Sequence, residues 1–155
     1  MQLILVRHGS AGHKLQSPAA DRRRGLTRRG LHQADRLVEV LVPLKPTRIL
    51  SSPLKRCLET VAPLVEATAI EVETNSALTP SRPTTALRLI RGLTAPNSRS
   101  GVVVCTHGEV MGFVLARMAE DDGVKLERRP PGLKGCVWVL EARRGKLVGT
   151  RYIAP

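Results

Sequence analysis

Two histidines of this chain stand in matching surroundings. Leu3-Ile4-Leu5-Val6 runs into Arg7-His8-Gly9, and Val102-Val103-Val104-Cys105 runs into Thr106-His107-Gly108. Histidine is the side chain best suited to acid, base or nucleophilic work near neutral pH. A lone His-Gly after a strand is most often only a turn, so neither tripeptide alone says much. The pair in equivalent contexts says more, because three arginines stand at comparable places. Arg7 directly precedes His8. Arg56 follows Ser51-Ser52-Pro53-Leu54, at what reads as the first turns of a helix and near its positive end. Arg24 sits in Arg24-Gly25-Leu26-Thr27, between a polar loop and a capped helix. The planar guanidinium fork matches phosphate oxygens, so all three are candidate phosphate ligands. In a chain with nineteen arginines most are ordinary solvated residues; position at strand ends and helix starts separates these three.

The elements that must position them are legible in outline. Short apolar runs bounded by glycine read as buried strands of a parallel sheet. Open α/β sheets bind ligands just beyond the carboxyl ends of their strands. His8 and His107 should therefore face one crevice, with Gly9 and Gly108 letting the backbone come close to a ligand. Residues 10–25 form a polar loop. Thr27 reads as the N-cap of a helix carrying Leu31, Ala34, Leu37, Val38 and Leu41, ended by Pro43 and Pro46.

Arg48–Ser51 is a short strand. Ser52-Pro53 reads as a cap followed by proline at the first helical position of a helix reaching Thr68, kinked or broken at Pro63. Residues 70–73 alternate like a half-buried strand. Two further helices carry Ala86, Leu87, Ile90 and Leu93, then Val110, Phe113, Val114 and Met118. A charged connector, residues 121–133, leads to strands at 136–141 and 146–153 around the hairpin signal Arg143-Arg144-Gly145. This order predicts an α/β fold of three layers. A mainly parallel sheet carries helices on both faces and a C-terminal hairpin, and residues 1–155 form a single domain.

Composition narrows the partners. At 155 residues, with 42% hydrophobic and 25% charged residues, the chain reads as a soluble globular protein. No apolar stretch approaches the ~20 residues of a membrane span, and the N-terminus enters a strand without the features of a secretory signal. Cys57, Cys105 and Cys136 are an odd number in apolar or helical contexts. They read as buried free thiols and point to the reducing cytoplasm. No Cys/His spacing suggests a metal site, and neither metal nor cofactor is expected.

The charge is the outlier: 25 Lys and Arg against 13 Asp and Glu give +12. Such a surface implies an anionic partner, which could be a phosphorylated metabolite, a phosphoprotein or nucleic acid. With aromatics at 2% (Phe113, Trp138, Tyr152) there is no stacking platform for nucleic acid, and no groove-reading motif appears.

Leu5-Val6-Arg7-His8-Gly9 resembles the signature of the histidine phosphatase superfamily, whose fold is phosphoglycerate-mutase-like. Further matches follow in the family's order: Leu26-Thr27-x-x-Gly30-x-x-Gln33-Ala34, then Ser51-Ser52-Pro53-Leu54-x-Arg56-x-x-x-Thr60, then Thr106-His107-Gly108. The small size and Leu78-Thr79-Pro80 are similar to bacterial phosphohistidine phosphatases. Cys105-Thr106-His107-Gly108 and Lys134-Gly135-Cys136-Val137-Trp138-Val139-Leu140 are similar to the phosphatase-like domain that follows a Nudix domain in some actinobacterial proteins.

The resemblance implies that His8 attacks phosphorus and forms a phosphohistidine, which water then hydrolyses. It implies that Arg7 and Arg56 hold the non-bridging oxygens, that His107 adds a donor, that Gly9 lies at the substrate, and that Arg24 is an outer clamp. No metal or cofactor enters this scheme. The partner it implies is a phosphorylated protein, or a small phosphorylated metabolite or nucleotide.

One departure bears on the substrate. Many family members carry an acidic residue after the third strand to protonate the leaving group, but here Ala77-Leu78-Thr79-Pro80-Ser81-Arg82-Pro83 holds no carboxylate. A general acid contributes about 10²–10⁴ in rate, so poor leaving groups should be handled slowly. Phosphohistidine or phosphoanhydrides are then favoured over sugar phosphates. Glu109 and Asp21 are conceivable substitute acids that read as surface carboxylates. A nucleotide-directed phosphatase and a weakly catalytic phosphate-binding module remain open as rival readings.

Overall fold

The computed structural model describes all 155 residues. Its strands are β1 (Gln2–Arg7), β2 (Arg48–Ser51), β3 (Val72–Thr74), β4 (Val102–Thr106), β5 (Val137–Arg143) and β6 (Lys146–Ile153). They form one sheet in the order β3-β2-β4-β1-β5-β6. The pairs β2·β3, β2·β4 and β1·β4 are parallel, while β5 joins β1 antiparallel and β6 closes the edge as the hairpin partner of β5. Arg144 and Gly145 at the hairpin tip both have positive φ (51° and 79°), the conformation a tight hairpin turn requires.

Side-chain alternation along the strands divides the core. Leu3 and Leu5 of β1, with Val102 and Val104 of β4, pack against α4 (Pro83–Leu93) and α5 (Gly108–Asp122). Ile4 and Val6, with Val103 and Cys105, face α2 (Arg28–Leu41) and α3 (Lys55–Thr68) on the other side. The result is the expected three-layer α/β architecture, in which β4 is buried along its whole length. No helix is long and apolar enough to cross a membrane. The three cysteines are free and buried.

Four local expectations are corrected. The loop of residues 10–25 contains a short helix, α1 (Pro18–Arg22), capped by Ser17 with proline at the helix start. Ser52 is not the N-cap of α3: the helix begins at Lys55 with Leu54 in the cap position, and Ser52 Oγ accepts the Leu54 N–H at 3.4 Å while the Ser52 backbone still pairs with β4. Pro63 does not break α3, which runs unbroken to Thr68 and keeps Val61 and Leu64 buried on either side of it. The third strand is Val72–Thr74 rather than residues 70–73. Register with β2 pairs Ile49 with Val72, and Arg48 grips the Glu73 carboxylate at 2.7 Å through both nitrogens.

Candidate active site

The parallel ladders continue past the last strand residues, and this assembles the site. The His8 N–H donates to the Thr106 carbonyl at 3.1 Å, and the Ser52 N–H donates to the Cys105 carbonyl at 3.0 Å. Three adjacent strands, β2, β4 and β1, thus deliver Ser52, His107 and His8 side by side at the carboxyl edge of the sheet. The two imidazoles meet edge to face with centroids 5.3 Å apart, His8 6% and His107 1% exposed.

Thr27, Gly30, Gln33 and Thr60 of the quoted motifs hold these groups in place and do not line the crevice. Thr60 on α3 donates to the Arg56 carbonyl at 2.7 Å and accepts the Gly9 N–H at 3.0 Å, tying the arginine's helix to the loop after His8. Gln33 Oε1 accepts the Ser10 N–H at 2.8 Å, and the Thr27 N–H bonds the Ser10 carbonyl at 2.9 Å. Gly30 leaves room for that same carbonyl, which a Cβ would strike. The start of α2 therefore fixes the chain immediately after His8.

A crevice of about 530 Å³ opens at this edge. Its walls carry Arg7, His8, Arg24, Arg56 and His107, so five of the six expected site residues come together. Gly9 is the exception. Its amide is taken by Thr60 and its carbonyl by the His8 ring, and it does not line the crevice. Gly108 lines the crevice while Gly9 does not, and both glycines are also required by packing. A Cβ on Gly9 would meet the Gly30 carbonyl at 2.9 Å, and one on Gly108 would meet the Arg7 guanidinium at 2.8 Å. Each glycine makes space for the protein's own groups.

His8 is oriented by its own neighbour: Nδ1 lies 2.7 Å from the Gly9 carbonyl, which can only accept. Nδ1 therefore carries the proton, and Nε2 keeps a free lone pair. Burial, joined by the charges of Arg56, Arg7 and Lys134, lowers the His8 pKa from 6.5 to about 4, against the opposing pull of the Gly9 bond. His107 falls to about 2, through burial first and then His8, Arg56 and Arg24. Its Nε2 is 2.8 Å from Ser52 Oγ and 3.5 Å from Cys57 Sγ, while Nδ1 is buried without a partner.

Both rings are thus neutral at physiological pH, and protonating His8 removes the lone pair. Turnover of an aryl phosphate, corrected for the substrate's own ionisation, is expected to stay level from pH 7 to about 5 and to fall near pH 4. A limb near 6.5 would show an ordinary solvated imidazole instead. In the unfolded chain these histidines protonate near 6.5. Their contribution to stability is therefore full above that pH and lost as pH falls, toward about 4 for His8 and about 2 for His107.

The arginines are held by a carboxylate that sequence reasoning undervalued. Asp21 is buried, not a surface group. It accepts the Leu15 N–H at 2.9 Å and Arg24 Nε at 3.0 Å, with Arg56 Nη2 at 3.5 Å. Burial alone would raise its pKa, but the Leu15 and Arg24 hydrogen bonds and the charges of Arg24 and Arg56 outweigh it and hold the carboxyl below its usual value. It is no proton donor. Arg24 also reaches the Ala11 and Gly12 carbonyls (2.9 and 3.2 Å), and Arg56 the Asp21 carbonyl at 2.9 Å, leaving Arg56 Nε buried and unpaired. Arg7 donates to the Gly132 carbonyl at 2.5 Å, and its Nε is also unpaired.

Glu109 is exposed at the crevice, as expected of a surface carboxylate. The 77–83 loop does reach the site, but through Pro80, which has no proton to give. Sequence reasoning missed Ser52 and the lining residues Lys14 and Lys134. No group of three His, Cys, Asp or Glu side chains is arranged to hold a metal ion.

A mainly parallel α/β sheet thus carries paired histidines and arginine forks at its carboxyl edge. The chain belongs to the histidine phosphatase superfamily, matching branch 1 of that superfamily over residues 3–79. It is 30% identical over 155 residues to an 8-oxo-(d)GTP phosphatase of Mycolicibacterium smegmatis, covering 99% of this chain and 48% of the relative, so it spans about half that relative's length. The fold is shared with the protein histidine phosphatase SixA solved with tungstate (21% identity, TM-score 0.79, 99% and 97% of the two chains). It is shared as well with a phosphoserine phosphatase of Entamoeba histolytica solved with 3-phosphoglyceric acid (18% identity, TM-score 0.77, 99% and 97%).

Proposed function

We propose that residues 1–155 act as one cytoplasmic histidine-phosphatase domain, hydrolysing phosphate compounds through a phosphohistidine on His8 without a metal. The observation that carries this reading is the fixed tautomer of His8: a proton-free Nε2 on a buried ring at a crevice walled by Arg7, Arg24 and Arg56. Nε2 attacks phosphorus in line, and water then cleaves the phosphorus–nitrogen bond. Arg7 and Arg56, each with an unpaired Nε, take the non-bridging oxygens. Ser52 donates its hydroxyl proton to His107 Nε2, leaving Nδ1–H as a donor for the same oxygens. Arg24 works mainly through Asp21 and the residue 11–12 carbonyls, shaping the outer wall.

The substrates this arrangement favours are phosphohistidine proteins or other phosphates with good leaving groups, because the 77–83 loop reaches the crevice with Pro80 and carries no carboxylate. Aryl phosphates, phosphoramidates and phosphoanhydrides are expected to exceed sugar monophosphates in kcat/KM by a factor on the order of 10², the size of a missing general acid. A flat dependence on leaving-group basicity would sink this. The relative that acts on 8-oxo-(d)GTP favours a second reading, a nucleotide-directed phosphatase. The crevice offers a base no Val, Leu, Ile or Met and no Phe, Tyr or Trp to stack on. Brief reaction with a radiolabelled substrate separates an enzyme from a phosphate-binding module. Acid-labile label on wild type but not on His8→Ala supports the covalent mechanism, and absence of label refutes it.

A further inference from the structure

The crevice has more positive charge than one phosphoryl group uses. Arg24 and Arg56 share Asp21, and Arg7 and Arg56 flank the position in front of His8. Lys134 is left over. It is half-buried, lines the same crevice, and makes no hydrogen bond or ion pair with the protein. It comes from the segment before β5, far along the chain, yet its backbone is fixed to the nucleophile. The Gly135 N–H is shared between the Arg7 and His8 carbonyls at 3.1 Å each. Gly135 itself has φ +80°, which favours glycine at this turn.

Arg7 on β1, Arg24 after α1 and Arg56 on α3 all face Lys134. With burial, they lower its pKa. Asp21 is already engaged, while Glu109 and Lys14 are exposed. An ammonium among like charges without a counter-ion is stabilised when a ligand brings one.

We propose that Lys134 binds a second phosphate adjoining the one transferred, which makes phosphoanhydrides the substrate class of this site. The inference rests on His8 being the nucleophile. Attachment through Gly135 fixes the lysine's backbone beside Arg7 and His8, and its side chain lines the crevice that holds them, which favours a group close to the transferred phosphate over a distant part of a macromolecule. The terminal phosphorus bonds to His8 Nε2 as its bond to the bridging oxygen breaks. That oxygen's electron pair stays on the departing phosphate, where Lys134 offsets the developing charge. Water then attacks the His8-bound phosphorus as the phosphorus–Nε2 bond breaks, Nε2 recovers its lone pair, and the water's oxygen and both its protons leave with the released phosphate.

The test compares inorganic triphosphate with para-nitrophenyl phosphate, both with EDTA. Lys134→Met is expected to lower kcat/KM for triphosphate about tenfold more than for the aryl ester, the loss of one charge-assisted contact. Lys134→Arg should recover most of it. Equal losses on both substrates would overturn the proposal, as would a wild type that labels His8 from the aryl ester but leaves triphosphate intact. It would also be overturned if an acid-flanked phosphohistidine peptide, and not triphosphate, showed the Lys134→Met sensitivity. Failure of the underlying reading looks different: no label reaches His8 from any substrate, and both fall.

Discussion

His8→Ala is expected to reduce turnover of an activated aryl phosphate by about 10⁴-fold or more, since removal of a covalent nucleophile leaves only binding and electrostatics to help water. The fold should survive. The ring's one hydrogen bond to the protein is to the adjacent Gly9 carbonyl, and the strand beneath it is held by the β1·β4 ladder. An unchanged melting temperature beside lost turnover would separate chemistry from folding. Activity within tenfold of wild type would remove His8 from the mechanism.

Arg56→Lys is the second large effect, expected to cost about 10²–10³ in kcat/KM, the scale for losing one transition-state donor. Lysine keeps the charge and loses the fork. Two of the fork's contacts are at stake, Nη1 on the Asp21 carbonyl and Nη2 near its carboxylate, together with the unpaired Nε. Arg56→Ala should fall at least as far, and should destabilise as well, because Asp21 keeps only Arg24 as a charged partner. Arg82, exposed and outside the crevice, is the control, and its alanine variant should stay within about twofold, as surface changes do. Equal small losses at both positions would make Arg56 an ordinary surface arginine.

What the sequence made legible, and what it hid, divides along contact distance. The strands announced themselves as apolar runs because parallel strands are buried on both faces. His8, His107, Arg7 and Arg56 stood out because each lies within a residue or two of a strand end or helix start. Ser52 was hidden by a local rule. Ser-Pro usually opens a helix, and at Ser17-Pro18 it does, with Ser17 Oγ accepting the Ala20 N–H. At Ser52-Pro53 the serine instead serves His107, fifty-five residues away. Asp21 looked like a surface carboxylate because its partners come from separate turns of chain. Lys134 had no periodicity to mark it, and only its approach to β1 gives it a place in the site.

The arrangement of His8 and His107 on neighbouring strands also has a kinetic consequence. Ring meets ring through β1 and β4, the first strand and the fourth, so nearly the whole intervening chain must be looped back before they pair. Closing so large a loop is entropically late work, and parallel pairings of this kind slow folding. A refolding chain will regain helical signal while it still lacks any capacity to bind phosphate. Catalytic competence should return only with the slowest folding phase, because neither half of the molecule owns a site.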